Sequence, residues 1–176
     1  MNRASARFFF TQTADFRSGQ VISTTILYLA APLFSVAERR FNRDLADALI
    51  ARLDGIDIIL PQNNKPDEDA EPIDMMQWHY DQCIAGLARA DIVLAILDGP
   101  DADSGVCFET GWAKARGKPV IGIRTDFRDQ QEFGVNLMLS RGVDALIHRT
   151  DLDESIDALA DRIGECINNH RFLTRK

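Results

Sequence analysis

The stretch "ADIVLAILDGPDADSGVCFETGWAKARGKPVIGIRTD", residues 90–126, decides the fold. It opens on the most apolar run of the chain, "ADIVLAILDG", which reads as a strand buried on both faces. A helix then starts at Asp103 or Ser104 and stops before Gly117, and "PVIGIRTD" is a second apolar strand. In that helix Glu109 is a misfit. Helical spacing places Gly105, Val106, Trp112 and Ala113 three or four positions from it, and each is apolar or lacks a side chain. Taken alone, the residue reads as a carboxylate in the N-terminal half of a helix, favoured by the macrodipole. Its alternative is a carboxylate aimed at something.

Working outward, the same alternation continues in both directions. On the N-terminal side, "TTILYLAAP" (24–32) is a strand closed by Pro32, and "SVAERRFNRDLADALIARLDG" carries Phe41, Leu45, Leu49 and Leu53 on one helical stripe. Ser35 and Glu38 form a capping box at its start. Next come a strand in "IDIILPQ", a polar loop expected to be mobile in "NNKPDEDAEP", and a helix over about 74–89. On the C-terminal side, "DALIHRT" is a fifth strand, and "DLDESIDALADRIGECINNHRF" is a closing amphipathic helix starting near Asp151 or Asp153. Strands alternating with helices predict a doubly wound α/β fold, flavodoxin-like or Rossmann-like: a mainly parallel five-stranded sheet with helices on both faces and right-handed crossovers. The chain divides into an N-terminal extension, 1–23, expected to be loosely ordered, and one domain, 24–176. Arg3 and Arg7, which precede the first acid of the chain, would also suit a transit peptide.

Composition narrows the function. The chain has 176 residues, a formal net charge of −7 and 45% hydrophobic residues, as a soluble domain with one core does. Net acidity argues against nucleic acid, which needs a basic face. No apolar run approaches the roughly 20 residues of a membrane span. Cys83, Cys107 and Cys166 are odd in number and lack metal-ligand spacing, so neither a disulfide framework nor a metal site is expected, and a reducing cytoplasm fits best. The first strand ends in Ala30-Ala31-Pro32, with neither GxGxxG nor GxxxxGK[ST], which disfavours dinucleotides and ATP. His79, His148 and His170 have no nucleophile-elbow context.

Carboxylates remain. Ligands of such sheets sit beyond the carboxyl ends of the strands. Asp98 closes its strand, Asp103 begins the next helix, and Glu109 lies a turn and a half inside it, so all three can face one crevice. Tyr28 and the "APLF" turn with Phe34 leave the first strand at that edge, and Gln62 leaves the second. Asp91 opens its strand at the far edge, where a structural role is expected. A desolvated carboxylate can attack a sugar carbon while a second acid positions the sugar. Asp98 is a candidate for protonating the leaving group from its strand end.

"YLAAPLFSVAERRFN", "LPQ", "ADIVLAILDGPDADSGVCFETGWAKARGKPVIGIRTDFR" and "NLM" occur in an order and spacing that resemble the nucleoside 2-deoxyribosyltransferases, over roughly residues 25–147. The resemblance implies Glu109 as nucleophile, Asp103 as the group holding the sugar hydroxyl, Tyr28 beside the nucleophile, and Gly105 within the "DSG" turn. It also implies that Asn136 and Met138 enter a neighbouring subunit's site, and hence a homo-oligomer of two or more copies. No cofactor or metal is implied; the partners are 2'-deoxynucleosides and free nucleobases. The implied reaction is a retaining double displacement with hydrolysis on the side. Cys83 stands where some members carry an aspartate used at the nucleobase, and Asp81 or Gln62 could read the base instead. Trp112 replaces a usual tyrosine, and "HRFLTRK" replaces the aromatic tail of some members. Two further readings stand beside the transferase: a nucleoside 5'-monophosphate N-glycosidase, and a non-catalytic nucleotide-sensing module on the same scaffold.

Overall fold

The computed structural model describes residues 24–66, 72–128, 134–148, 151 and 153–173. The extension 1–23, part of the polar loop and the last three residues lie outside them. In chain order the elements are β1 (Thr25–Ala30), α1 (Val36–Arg52), β2 (Ile56–Ile59), a 3-10 turn (Pro61–Asn63), α2 (Pro72–Arg89), β3 (Ile92–Ile96), α3 (Ser104–Ala115), β4 (Val120–Arg124), α4 (Leu137–Gly142), β5 (Ala145–His148) and α5 (Ile156–Leu173). All sheet pairings are parallel, in the order β2-β1-β3-β4-β5. This is the doubly wound α/β architecture that the alternation predicts.

Strand periodicity sorts the core. On β1, Leu27 and Leu29 join one cluster with Leu45 and Leu49 of α1 and Ile163 and Ile167 of α5. Tyr28 and Ala30 point to the other face, with Leu87 of α2, Val106 and Ala113 of α3, and Leu139 of α4. β3 is buried along its whole length, as a central strand covered on both faces must be. Truncating its leucine, Leu94, to alanine would remove about 2–5 kcal/mol.

One boundary and one element differ from the sequence reading. The closing helix starts at Ile156 and not near Asp151 or Asp153. Asp151 instead spends its side chain on a turn, accepting from Asp153 N at 3.1 Å, and Ser155 Oγ accepts from Ala158 N, so Ser155 takes the cap position. The second difference is α4, six residues long and absent from the sequence reading, because so short a helix gives no periodicity to detect.

Strand order reverses between β1 and β3, which flank the point where one crossover runs to β2 and the other to β4. A crevice opens there at the carboxyl ends of the strands. The side chains at issue leave from this edge. Opposite it, Asp91 Oδ2 accepts from Ile26 N at 2.8 Å and closes the far end.

Candidate active site

Glu109 and Tyr28 meet at this reversal. The Tyr28 hydroxyl donates to Glu109 Oε1 at 2.5 Å, joining β1 to α3 across 81 residues of sequence. The phenol ring is completely buried, and it fits because α2 passes with Gly86. A Cβ at that position would lie 2.9 Å from Tyr28 Cε2. Burial pushes the Tyr28 hydroxyl far above its ordinary range, with the Glu109 charge adding to the effect, so it remains a donor at every working pH.

Glu109 is itself perturbed. Withdrawal from water pushes its carboxyl up to about 7; the Tyr28 and Cys83 side chains pull the other way, and the charge of Asp103 adds to the rise. Near neutrality the group is therefore divided between acid and carboxylate. Oε1 is held by Tyr28, which leaves Oε2 for a reacting atom.

Asp103 is the N-cap of α3. Its Oδ1 accepts from Gly105 N at 2.9 Å and from Val106 N at 3.1 Å, so the cap uses one oxygen and leaves Oδ2 out of it. Gly105 permits this turn, since a Cβ there would sit 3.0 Å from Asp103 Oδ1. Glu109 and Gly105 share a cleft of ≈ 220 Å³ with Phe108 of α3 and with His79, Tyr80, Cys83, Ile84 and Leu87 of α2. Its wall is largely apolar, and the Tyr80 and Phe108 rings stand 6.4 Å apart at its rim with both side chains about half exposed. Such a wall suits a flat, weakly polar group.

Asp98 and Gln62 are committed elsewhere. Asp98 Oδ1 accepts from Thr125 N at 2.6 Å and Asp126 N at 3.1 Å, while Oδ2 accepts from the Thr125 hydroxyl. Its carboxylate thus ties the end of β3 to the end of β4, beside buried Arg124, which donates to Leu97 O and Gly99 O. A leaving group finds no free proton donor in Asp98. Gln62, buried, donates from Nε2 to Arg39 O at 2.9 Å and accepts on Oε1 from Asn42 Nδ2 at 3.2 Å. Both ends of the amide are spent on α1, which removes the means of reading a base edge.

The remaining expected residues lie outside the cleft of a single chain. Phe34 is exposed just beyond β1, its N–H donating to Glu38 Oε2 at 2.9 Å. Asn136 caps α4, accepting on Oδ1 from Met138 N at 2.9 Å, and Met138 is 79% exposed. Trp112 lies under the Arg116 guanidinium, 3.8 Å from the ring centroid, as packing. Asp81 accepts from Gln77 Nε2 on the exposed surface of α2. Sequence reasoning missed Tyr80 and Phe108, although His79, Tyr80, Cys83, Ile84 and Leu87 recur on one helical face. Among the described residues, no group of three His, Cys, Asp or Glu is placed to hold a metal ion, and no helix is long and apolar enough to cross a membrane.

A parallel sheet with no phosphate loop after its first strand, and a carboxylate held by a buried phenol at the strand reversal, place the protein among doubly wound α/β proteins with a carboxylate at the strand ends. The chain belongs to the nucleoside 2-deoxyribosyltransferase family, which it matches over residues 27–138. It is 24% identical to a nucleoside deoxyribosyltransferase of Limosilactobacillus fermentum over 139 residues, 74% of this chain and 83% of that one. A conserved protein of Enterococcus faecalis V583 has a similar structure, with a TM-score of 0.66, 28% identity, and coverage of 81% of this chain and 99% of that chain. The 2-deoxyribosyltransferase of Bacillus psychrosaccharolyticus shares the fold, with a TM-score of 0.60, 22% identity, and coverage of 78% and 91%. Family membership makes the chain an enzyme of the nucleoside deoxyribosyltransferase and N-glycosidase type.

Proposed function

We propose that the protein transfers the 2-deoxyribosyl group between nucleobases of 2'-deoxynucleosides by a retaining double displacement. The observation that carries this reading is the Tyr28–Glu109 pair: a carboxylate partly withdrawn from water at the lining of the cleft, with one oxygen anchored by a buried phenol. In the first step Oε2 of Glu109 bonds to the anomeric carbon as its bond to the base nitrogen breaks. The departing base gains a proton, and a glutamyl ester of deoxyribose remains. In the second step a nitrogen of another base attacks the same carbon, loses its proton, and returns the carboxylate. Water taking that place gives hydrolysis. No step calls on a cofactor or metal.

Asp103 supports a substrate ending in a hydroxyl. Its free oxygen can accept a hydrogen bond from a 5'-hydroxyl, whereas the same charge repels a 5'-phosphate, which disfavours the monophosphate N-glycosidase reading. Exposure of Leu137 and Met138 on α4 supports a homo-oligomer in which this segment completes a neighbour's site. The test is chromatographic: thymidine and adenine are incubated with the protein, and deoxyadenosine is measured. Glu109→Ala is expected to abolish both exchange and hydrolysis, and denaturing mass spectrometry with a slow 2'-fluoro-2'-deoxynucleoside is expected to show a sugar adduct on a peptide containing Glu109. Exchange near the unmutated rate in Glu109→Ala, or an adduct elsewhere, removes Glu109 from the mechanism.

A further inference from the structure

Among the described residues, the largest fully buried side chain is a charged one, Arg124 at the end of β4. Burying a guanidinium is costly unless its donors are matched, and here the acceptors are carbonyls of two loops. Nη1 donates to Leu97 O at 2.6 Å and to Gly99 O at 2.7 Å, and Nη2 donates to Arg128 O at 3.2 Å. Asp126 Oδ2 stands 3.9 Å from Nη2 and accepts from Gly99 N at 3.2 Å, so Gly99 is held by both of its backbone polar groups. The chain turns sharply at that point. Gly99 has a φ of 104°, and a Cβ there would lie 2.9 Å from Asp101 O. Pro100 follows with its fixed φ, and the loop then delivers Asp103 to the start of α3.

We propose that Arg124 is a positioning residue for Asp103, its guanidinium fixing from β4 the loop that carries this carboxylate from β3 to α3. The inference rests on the reading of Asp103 as acceptor of the sugar 5'-hydroxyl. Asp103 spends Oδ1 on the first amides of α3, so the place of its other oxygen is set by the backbone that brings it in. That backbone is held at both ends. Arg124 and Asp126 secure Leu97 and Gly99, while the Cys107 thiol donates to Ala102 O at 3.7 Å just before the cap. Between these anchors lie a glycine pivot and residues without strand or helix bonds, and a pivot released by about an ångström would misalign a hydroxyl contact that tolerates little displacement. Burial of Arg124 keeps water from competing for the three carbonyls, which is what a permanent anchor requires.

The readout is the ratio of kcat/KM for thymidine to kcat/KM for its 5'-deoxy analogue, which isolates what the 5'-hydroxyl contributes. A mere loss of folded protein lowers both substrates equally and leaves the ratio in place. In the unmutated protein the ratio is expected to be roughly ten to a hundred, and Asp103→Ser sets its value with the contact gone. Arg124→Met is expected to bring the ratio most of the way to that value, and Arg124→Lys, which keeps the charge on a single nitrogen, to an intermediate one. An unmoved ratio in both overturns the proposal. Should Arg124→Met not fold, Asp126→Ala frees the Gly99 N–H and is expected to lower the ratio roughly threefold; a ratio unmoved in Asp126→Ala and Arg124→Lys overturns the proposal equally. Hydrogen exchange needs no substrate and separates this inference from the reading of Asp103. If Asp103→Ser leaves the ratio unmoved, the 5'-hydroxyl assignment falls, and the anchor is decided at Gly105 and Val106, whose amides Asp103 binds. Their exchange is expected to be about tenfold faster in Arg124→Lys, while Ile26, bound by Asp91 at the opposite edge, keeps its rate. Equal change at all three amides, or none, overturns the anchor.

Discussion

Replacing Glu109 with glutamine should make the protein more stable and inactive at once. Glutamine keeps the shape and can accept the Tyr28 hydroxyl, and it removes a charge that burial disfavours. Desolvation first, and the Asp103 charge after it, raise the carboxyl from its ordinary 4.5 to about 7. The sign follows from which form the fold prefers. A raised carboxyl binds its proton more tightly folded than unfolded, so ionised Glu109 opposes folding above about pH 7, and the penalty fades as pH falls through that value toward 4.5. At about 1.4 kcal/mol per pH unit, the full effect at pH 8 is about 3 kcal/mol; partial exposure of the side chain lowers the expectation to about 1–3 kcal/mol. Near pH 5 it should be below about 1 kcal/mol. For a chain of this length each kcal/mol moves Tm by roughly 2–4 °C. Urea unfolding of both proteins at pH 8 and pH 5 isolates the contribution, because every other titrating group is common to the two. An equal gain at both pH values, or a loss at pH 8, would refute the argument that burial destabilises this carboxylate.

Two further changes bear on the pair and on its neighbour. Tyr28→Phe removes the principal donor to Glu109, so the acid limb of kcat/KM should move further above pH 7 and activity lost at pH 7 should return as pH rises; a uniform loss across pH would leave Tyr28 a packing role. Asp103→Ser keeps a competent cap for α3, since serine accepts the same backbone hydrogen bonds, but removes the charge. Loss of a hydroxyl-to-carboxylate bond of about 1.5–3 kcal/mol should lower kcat/KM for a deoxynucleoside roughly ten- to a hundredfold. The ratio of monophosphate to nucleoside turnover should rise, and a ratio that stays put, or a wild-type preference for the monophosphate, would transfer the assignment to nucleotide hydrolysis.

The alternation of strands with helices and the buried helix faces were legible because they rest on local patterns repeated many times. The Ile92–Ile96 run, the Leu45/Leu49 stripe and the Ser35–Glu38 box each signal through neighbours in sequence, and each has the environment that the pattern requires. Cap geometry was legible for the same reason at α3, where Asp103 precedes the helix it caps, within three residues of the amides it binds; Asn136 caps a helix too short to be read from its pattern. Where a local rule had a rival, the pattern alone did not decide. An aspartate before a helix can cap it or make a turn, and Asp151 makes the turn, which is why α5 begins later than its first acid suggests.

The site divides along another line. Residue types that the chemistry requires can be placed at the correct sheet edge from the order of elements, and Tyr28 and Glu109 arrive there from β1 and α3. Whether a polar group at that edge is free is a different question, answered by partners far away in the chain. Asp98 is engaged by Thr125 and Gln62 by Asn42 and Arg39, 27, 20 and 23 residues distant, and no spacing rule reports those contacts. Burial shows the same limit from the opposite side. The apolar neighbours of Glu109 on its own helix mark it as unusual, but desolvation of its carboxylate also depends on what β1 and α2 bring against it: a buried phenol, a thiol and a glycine small enough to admit the ring. A carboxylate becomes a nucleophile candidate through that enclosure, and the enclosure is a property of three elements that meet only in the folded chain.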